Sequence, residues 1–418
     1  MKTLLVGQSG GPTSAINATL SGVIEQAAKA GLRVLGARNG IEGVFKENFI
    51  DLTQKAKDEE FVSLLSKTPA SALGSCRYKL NTKNIEEFEK IVEVFDRNDI
   101  AYFVYIGGND SMDTVYQLDK YLREHHIEDI KVIGAPKTID NDLCGIDHCP
   151  GFGSSAKYIA TIFAELEREL IVYDLESVLI IELMGRNAGW LTAAAALSEE
   201  RGSIPYLIYV EENTFSKEKF LQDVNEMLEK HPQIMVAVSE GVKDEEGRFL
   251  YSYEKEEGEK DAFGHTIAGG TGAVLEGFLQ EAADSEEGKY TVIKEKNIKT
   301  RAIEFNLLQR CASHCLSKTD VLEAFSLGKK AVELALSGES GKMVSLERVN
   351  GMRGEYKVNF LSVPLSFVAN KEKKLPKEWI SENGHSLEGE CLDYLRPLIR
   401  GECSAEYIDG LPAYIRLF

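Results

Sequence analysis

Short apolar segments alternate with helix-like segments along most of this chain, and this alternation constrains the fold more than any other feature. The apolar segments are rich in β-branched and aromatic residues and end at glycine or polar residues, which predicts strands. The predicted strands are 3–7, 101–106, 131–135, 177–183, 205–210 and 233–238. The predicted helices are 14–30, 85–97, 110–125, 152–170, 186–198 and 216–230. Such alternation is typical of parallel sheets covered by helices, which bind ligands at the carboxyl ends of their strands.

Length and charge narrow the class of protein. A chain of 418 residues is long enough for two domains, and its net charge of −19 disfavours nucleic acid and anionic membranes as partners. The seven cysteines are scattered and odd in number, and they lack the paired Cys-x-x-Cys spacing of a zinc site. With neither a signal peptide nor an apolar membrane span in the sequence, we expect a cytoplasmic protein.

Two glycine-rich turns follow predicted strands. Gly7-Gln8-Ser9-Gly10-Gly11-Pro12 follows the first strand, and Gly107-Gly108-Asn109-Asp110-Ser111 follows the strand 101–106. Glycines let the backbone approach a phosphate, and the helix that follows each turn favours an anion at its N-terminus. Either turn alone is equally typical of simple helix capping, but two turns at one sheet edge favour a shared phosphate site.

The segment Pro136-Lys137-Thr138-Ile139-Asp140-Asn141-Asp142 follows the next predicted strand. One of its two aspartates would accept a proton from an attacking hydroxyl, and the other would help hold Mg²⁺. Lys137 would neutralise charge on a phosphoryl group in transfer. The alternative is a turn in which Asp and Asn bond to their own backbone, but the Lys-Thr pair favours a phosphoryl-transfer loop.

Further polar motifs follow later strands. They are Met184-Gly185-Arg186-Asn187-Ala188-Gly189-Trp190, Ser239-Glu240-Gly241, Arg301 and Gln309-Arg310. Arginines bind phosphates through two parallel hydrogen bonds, although an isolated arginine is more often a surface ion pair. A glycine cluster at 264–272 lacks a preceding apolar strand and a Gly-Lys-Ser ending, so we predict a lid or insertion there instead of a phosphate loop.

Taken in order, these motifs resemble the 6-phosphofructokinase family from Gly7 to about Leu336. The most specific of them are Thr-Ile-Asp-Asn-Asp and Met-Gly-Arg. The subgroup resembled is the pyrophosphate-dependent one, because ATP-dependent members typically have glycine where this chain has Asp110 and Lys137. The resemblance implies that the carboxylate of Asp110 occupies the space of a nucleotide α-phosphate and that Lys137 offers a cation to pyrophosphate.

The resemblance also implies a set of site residues and a reaction. Asp140 would be the base that deprotonates the 1-hydroxyl of fructose 6-phosphate, giving fructose 1,6-bisphosphate and phosphate from pyrophosphate in a reversible glycolytic reaction with Mg²⁺. The implied catalytic residues are Asp140, Lys137, Asp110 and Arg77. The implied donor-binding residues are Gly10, Gly11, Gly107, Gly108 and Ser111. The implied substrate-binding residues are Thr138, Ile139, Asp142, Met184, Gly185, Arg186, Glu240, Arg301, Leu307 and Arg310.

Two positions, 109 and 307, depart from the family pattern. Asn109 stands where many members have a metal-associated aspartate, so it marks the position of the family metal site with a changed residue type. Leu307 stands where bacterial ATP-dependent enzymes carry a histidine that touches the sugar phosphate.

The expected fold is α/β, with two Rossmann-like three-layer domains of mostly parallel sheets, the phosphofructokinase fold, and a C-terminal extension. We predict a donor domain at 1–150, completed by part of 308–345, and a sugar-phosphate domain at 151–307 with an insertion at about 244–300. The extension, 346–418, is expected to pack on the second domain, and the site to lie in the cleft between the domains. Family resemblance suggests a homodimer or homotetramer. The alternatives are an ATP-dependent 6-phosphofructokinase, an enzyme that also uses sedoheptulose 7-phosphate, and a catalytically silent sensor of phosphate or sugar.

Overall fold

The computed structural model describes residues 2–81, 83–253, 269–285, 289–351, 355–403 and 405–418. Its strands are β1 Thr3–Gln8, β2 Arg33–Ala37, β3 Phe49–Asp51, β4 Ile100–Gly107, β5 Lys131–Pro136, β6 Ser177–Leu183, β7 Tyr206–Tyr209, β8 Gln233–Ser239, β9 Lys299–Glu304, β10 Lys342–Arg348, β11 Val358–Pro364, β12 Tyr407–Ile408 and β13 Leu411–Pro412. Its helices are α1 Ile16–Lys29, α2 Gly40–Phe45, α3 Glu59–Lys67, α4 Ile85–Arg97, α5 Asn109–Glu124, α6 Phe152–Leu170, α7 Trp190–Ala193, α8 Ala196–Glu199, α9 Lys217–Lys230, α10 Thr271–Asp284, α11 Thr291–Glu295, α12 Lys318–Leu336, α13 Leu365–Val368 and α14 Gly389–Leu395.

The chain divides into two compact units. Unit 1 contains Met1–Ser155, Arg310–Lys373 and Pro397–Phe418, and unit 2 contains Ala156–Gln309 and Lys374–Arg396. Among the described residues, no helix is both long and apolar enough to cross a membrane. The seven cysteines all lie within the described residues, and each is a free thiol.

Unit 1 is built on a seven-stranded sheet in the order β11-β10-β5-β4-β1-β2-β3. The five central strands are parallel, and the two edge strands, β3 and β11, are antiparallel to their neighbours. The central strands are almost entirely buried, and their side chains join those of the flanking helices in one hydrophobic core. Near-continuous apolar sequences are what a parallel sheet with both faces covered requires.

Unit 2 is built on a four-stranded parallel sheet in the order β7-β8-β6-β9. Its core contains side chains from β6, β8, α9 and α10. The predicted α/β class with two mostly parallel sheets is therefore confirmed. In the predicted helix 186–198, residues 186–189 form a loop instead, and the rest forms the short helices α7 and α8. The amide of Gly189 donates to the carboxylate of Glu212, a contact that the local sequence does not indicate.

The domain boundaries differ from the predicted ones. Residues 346–373 and 397–418 of the C-terminal extension belong to unit 1, and only Lys374–Arg396 belongs to unit 2. The reason is that β10 and β11 extend the sheet of unit 1, with β10 pairing parallel to β5. The sequence analysis predicted no strand here, because β11 is only partly buried and gives a weak alternation of apolar and polar residues.

The region 244–300 also differs from the predicted insertion. Helix α10 buries Val274, Leu275, Phe278 and Leu279 in the core of unit 2, and β9 pairs with β6. Residues 271–284 and 299–304 are therefore integral to this unit. The first part of the glycine cluster, 264–268, lies outside the described residues.

Close packing of α1 against α12 gives a test of the fold. A Cβ atom on Gly328 of α12 would lie 2.1 Å from the carbonyl oxygen of Thr19, whereas one on Gly277 of α10 would meet nothing within 4 Å. We expect Gly328→Ala to lower the free energy of unfolding by about 1–3 kcal/mol through overpacking. Gly277→Ala, the matched control, should raise it by up to about 1 kcal/mol through helix propensity.

Thermal unfolding of both variants measures the difference. Equal shifts in the two melting temperatures would contradict the described contact between α1 and α12.

Candidate active site

Three loops of unit 1 begin at the same edge of its sheet. Strands β1, β4 and β5 are parallel neighbours, with Gly7 opposite Tyr105 and Gly107 opposite Pro136. The loops that follow them therefore start side by side, as the sequence predicts. We call these loops the glycine loop (9–13), the helix-start loop (107–111) and the base loop (136–142).

The glycine loop is held by a segment that precedes α4. The amide of Gly10 donates to the carbonyl oxygen of Cys76 over 3.0 Å, and the hydroxyl of Ser75 donates to the carbonyl oxygen of Gly10 over 2.6 Å. Gly10 has a φ of 77°, which favours glycine. These bonds place the exposed Arg77 next to the loop, near enough for its charge to act on Lys137.

Lys137 connects the base loop to both other loops. Its ammonium group donates to the carbonyl oxygen of Gly11 over 2.6 Å, and its backbone amide donates to the carbonyl oxygen of Gly107 over 2.9 Å. Burial lowers the pKa of Lys137 to about 8; the nearby Asp140 opposes this shift and Arg310 adds to it. The side chain is therefore still mostly protonated at neutral pH, and it is a buried cation at the mouth of the glycine loop.

Arg310 brings a second cation to the same place. A Cβ atom on Gly11 would lie only 2.9 Å from the guanidinium Nη1 of Arg310. Glycine at this position thus leaves room for the guanidinium. Arg310 also lowers the pKa of Asp140, as a nearby positive charge must.

The two carboxylates of the base loop are close to each other. Burial, together with the neighbouring charge of Asp142, raises the pKa of Asp140, and burial also raises the pKa of Asp142. The hydroxyl oxygen of Thr138 accepts a hydrogen bond from the amide of Asp140 over 3.1 Å, and Ile139 is buried beneath the loop. A carboxylate with a raised pKa is a better proton acceptor near neutral pH.

The helix-start loop runs directly into α5. Gly108 caps this helix, and Ser111 is buried behind Gly107, while Asp110 lies in the first turn with its side chain 77% exposed. Its carboxylate lies 3.6 Å from the ammonium of Lys79, a residue that sequence reasoning missed. The exposed carboxylate lies at the N-terminus of α5, where the helix dipole favours a negative charge.

Asn109 makes two hydrogen bonds to a distant part of unit 1. Its side-chain oxygen accepts from the amide of Asn370 over 2.8 Å, and its side-chain nitrogen donates to the carbonyl oxygen of Lys371 over 2.9 Å. The amide of Asn109 is thus engaged with the backbone of residues 370–371. No sequence signal pointed to this segment, because Lys371-Glu372-Lys373-Lys374 is typical of a solvated charge run.

A buried ionic cluster lies behind the base loop. His148 contacts Asp147 over 2.8 Å through Nδ1 and Glu323 over 2.7 Å through Nε2. Burial alone would lower the pKa of His148, but the carboxylates of Glu323 and Asp147 raise it to about 9. The imidazolium is thus charged at neutral pH and ties residues 147–148, which follow the base loop, to α12.

The second set of predicted residues lies in unit 2, at the carboxyl ends of β6 and β8. The hydroxyl of Ser239 donates to the carbonyl oxygen of Gly185 over 2.6 Å, and the amide of Gly185 contacts the carboxylate of Glu240 over 3.4 Å. Met184 is half-buried beside Gly185. The guanidinium of Arg186 lies 5.5 Å from the ring centre of Phe249, which fixes its direction.

Arg301 and Leu307 complete the predicted set in unit 2. Arg301 is an exposed residue of β9, paired in register with Leu179 of β6. Leu307 is 55% exposed in the turn that follows β9. Of the predicted site residues, Arg310 and those of the three loops cluster in unit 1, whereas the residues from Met184 to Leu307 belong to unit 2.

The described end of the glycine cluster, residues 269–272, is hydrogen-bonded to a carboxylate from β6. The buried Glu182 of β6 accepts hydrogen bonds from the amides of Gly270, over 3.1 Å, and Gly272, over 2.8 Å. These amides at the start of α10 are therefore bonded to a protein carboxylate, which agrees with the prediction that the cluster is not a phosphate loop.

Comparison with known proteins identifies the family. The phosphofructokinase family matches residues 3–335, which is most of the chain. This chain belongs to the phosphofructokinase family. The resemblance predicted from the motifs is confirmed.

Two relatives and one solved structure are informative. The pyrophosphate–fructose 6-phosphate 1-phosphotransferase of Methylococcus capsulatus is 39% identical, covering 98% of this chain and 94% of the relative. A sulfofructose kinase of Alkalicoccus urumqiensis is 33% identical, covering 90% and 91%. The crystal structure of a pyrophosphate-dependent phosphofructokinase from Nitrosospira multiformis superposes with a TM-score of 0.84 at 38% identity, covering 99% of this chain and 96% of that one.

Proposed function

We propose that this phosphofructokinase transfers phosphate from pyrophosphate to the 1-hydroxyl of D-fructose 6-phosphate, giving fructose 1,6-bisphosphate and phosphate. The observation that carries the proposal is the pairing of Lys137 with Gly11 beside Asp140, in a chain 39% identical to a protein named for this reaction. One phosphoanhydride is broken and one phosphate ester is made, so the reaction is readily reversible.

Pyrophosphate binds at the glycine loop of unit 1. Lys137 and Arg310 supply positive charge at Gly10 and Gly11, and Arg77 adds a third cation nearby. The start of α5, with Gly107, Gly108 and Ser111, offers backbone amides to the same anion. This local positive potential is necessary because the whole chain carries a net charge of −19.

Asp110 selects pyrophosphate over ATP. Its exposed carboxylate stands in the first turn of α5. The family resemblance implies that this is the space of a nucleotide α-phosphate. A carboxylate there excludes the nucleotide by its volume and by repulsion between like charges. Pyrophosphate lacks the α-phosphate and therefore escapes this repulsion.

Asp140 acts as the general base. It takes the proton of the sugar 1-hydroxyl as this oxygen attacks the nearer phosphorus of pyrophosphate, and the bond to the bridging oxygen breaks as phosphate leaves. The raised pKa of Asp140 brings its proton affinity closer to that needed at neutral pH. Lys137 stabilises the charge on the phosphoryl group during transfer.

Fructose 6-phosphate binds to unit 2. Met184, Gly185 and Arg186 bind the sugar phosphate, and Glu240 accepts hydrogen bonds from sugar hydroxyls. Arg301, in β9 of the same unit, takes the 6-phosphate.

Mg²⁺ is the divalent ion that suits this donor set. Among the described residues, no group of three or more His, Cys, Asp or Glu could hold a metal by itself, so the ion would take most ligands from phosphate oxygens and water, as Mg²⁺ commonly does. Asp142 would be the protein ligand of the Mg²⁺ ion, because the neighbouring Asp140 is needed as the base. When bound, the ion neutralises charge on pyrophosphate.

One alternative acceptor is a sulfofructose, because a 33% identical relative is named a sulfofructose kinase. Sedoheptulose 7-phosphate is a second alternative acceptor. Assembly as a homodimer or homotetramer stays a prediction from the family resemblance, and a cytoplasmic location stays a prediction from the sequence.

The donor comparison tests the proposal. Purified protein with Mg²⁺ and fructose 6-phosphate should form fructose 1,6-bisphosphate with pyrophosphate at least about 100-fold faster than with ATP, since like-charge repulsion in the donor site costs several kcal/mol. In Asp110→Gly, activity with ATP should rise by at least about 10-fold because the repulsion is removed. Asp129→Gly, which removes a carboxylate from a loop before β5, is the matched control.

Wild-type protein that used ATP as well as pyrophosphate would overturn the donor assignment. Undetectable ATP use by a folded Asp110→Gly variant would show that other residues exclude the nucleotide.

The base assignment has a separate test. Asp140→Asn keeps the shape of the side chain but cannot accept the proton, so kcat should fall by about 10²- to 10⁴-fold. Binding of fructose 6-phosphate, measured by calorimetry, should stay within about 3-fold of wild type. Retention of more than a tenth of the wild-type kcat would exclude Asp140 as the base.

A further inference from the structure

A short segment of unit 1, Asn370–Lys373, contacts two of the three loops at the candidate site, and we call it the clip. Its first half bonds to the start of α5. Asn109 accepts from the amide of Asn370 over 2.8 Å and donates to the carbonyl oxygen of Lys371 over 2.9 Å. The side chain of Asn370 donates to Asp113 over 3.1 Å. The clip is thus fixed to the helix-start loop by backbone and side-chain bonds.

The second half of the clip bonds to the base loop and its continuation. The amide of Lys373 donates to the carbonyl oxygen of Asp142 over 2.6 Å. Its ammonium contacts the side-chain oxygen of Asn141 over 3.3 Å and the carbonyl oxygens of Ile146 and Asp147 over 3.2 and 2.8 Å. One side chain therefore gathers three oxygens from the seven residues 141–147.

The position of Asn141 makes these bonds important. Asn141 lies between Asp140 and Asp142 and adopts a φ of 54°, a left-handed conformation that few residues favour. Its side-chain oxygen also accepts from the amide of Cys149 over 2.9 Å. The side-chain oxygen of Asn141 is therefore held by two groups, the amide of Cys149 and the ammonium of Lys373. These contacts help to maintain the backbone conformation next to Asp140.

We propose that the clip holds the helix-start loop and the base loop at a fixed separation, and that Lys373 is a positioning residue for Asp140. This inference rests on the proposed function, because it assigns to Asp140 the role of base. The clip and both loops belong to unit 1, so we expect the clip to act on the donor and the base. Small displacements of a catalytic group have large effects on rate.

The clip also explains the residue type at position 109. An asparagine side chain both accepts and donates, and Asn109 uses both capacities on the clip. An ionised aspartate would keep the bond from Asn370 but would turn an oxygen toward the carbonyl of Lys371. Asn109 is therefore a structural partner of the clip in this chain, at the position where the family resemblance predicted a metal site.

The first test replaces Lys373 by methionine. Lys373→Met should lower kcat with pyrophosphate by about 10- to 100-fold, because the base loses its support, while KM for fructose 6-phosphate stays within about 2-fold. Lys373→Arg, which can donate to the same oxygens, should recover at least a third of the lost activity. Lys120→Met, an equal loss of charge on the exposed face of α5, is the control and should behave as wild type.

The second test separates the clip from a metal site at Asn109. Asn109→Asp should lower kcat by at least about 5-fold, with the Mg²⁺ concentration for half-maximal rate unchanged within about 2-fold. The double variant Asn109→Asp/Lys373→Met should fall no more than about 3-fold below the slower single variant, because the two residues act as one unit. The proposal would be overturned if the kcat losses of the two single variants multiplied in the double variant. It would also be overturned if Asn109→Asp were more active than wild type and needed less Mg²⁺ for its half-maximal rate.

A readout without turnover separates failure of the clip from failure of the proposed function. Amide hydrogen exchange in Lys373→Met, measured without substrate, should become faster in residues 138–147 and also in 107–111, which bond to the other half of the clip through Asn109. Exchange unchanged in 107–111 would refute the coupling of the two loops, whatever the activity. Wild-type protein without transferase activity would overturn the proposed function alone, and the exchange data would still decide the clip.

Discussion

The contact between the ammonium of Lys137 and the carbonyl oxygen of Gly11 is the interaction on which the rest of the candidate site depends. A buried cation is costly unless its hydrogen bonds and charge are satisfied. Here Gly11 accepts one bond, and Asp140 and Asp142 supply negative charge nearby. The lysine can therefore remain charged at neutral pH, and it ties the loop after β1 to the loop after β5.

The parallel sheet makes this contact possible. Because β1, β4 and β5 are neighbours, residues far apart in sequence begin their loops at one edge. The same edge concentrates positive charge in a chain that is otherwise strongly acidic. A protein of this charge would repel a polyanion over most of its surface, so binding of pyrophosphate has to be local. Donor choice then depends on single side chains such as Asp110 and Lys137.

Sequence patterns predicted the parts of this arrangement that are local. The apolar strands before Gly7, Gly107 and Pro136 and the helix 85–97 follow from side-chain periodicity, and the motifs of the loops lie in continuous sequence. The edge strands β3 and β11 were missed because short or partly exposed strands give a weak alternation. The helix predicted at 186–198 begins only at Trp190, and the Gly189 amide before it bonds to Glu212, which is 23 residues away.

The clip was unpredictable for the same physical reason. Asn109 and Asn370 are separated by 261 residues, and Lys373 and Asn141 by 232. A charge run such as 371–374 gives no local indication that one of its lysines turns inward. Position 109 departs from the family pattern, and only the tertiary contact explains the departure.

Binding of pyrophosphate to Lys137→Met, measured by calorimetry in the absence of sugar, tests the central claim most directly. The account predicts that pyrophosphate binds about 10- to 100-fold more weakly than to wild type, the loss expected for a hydrogen bond to a charged group, while fructose 6-phosphate binding is unchanged. Pyrophosphate affinity equal to that of wild type in a folded variant would contradict it.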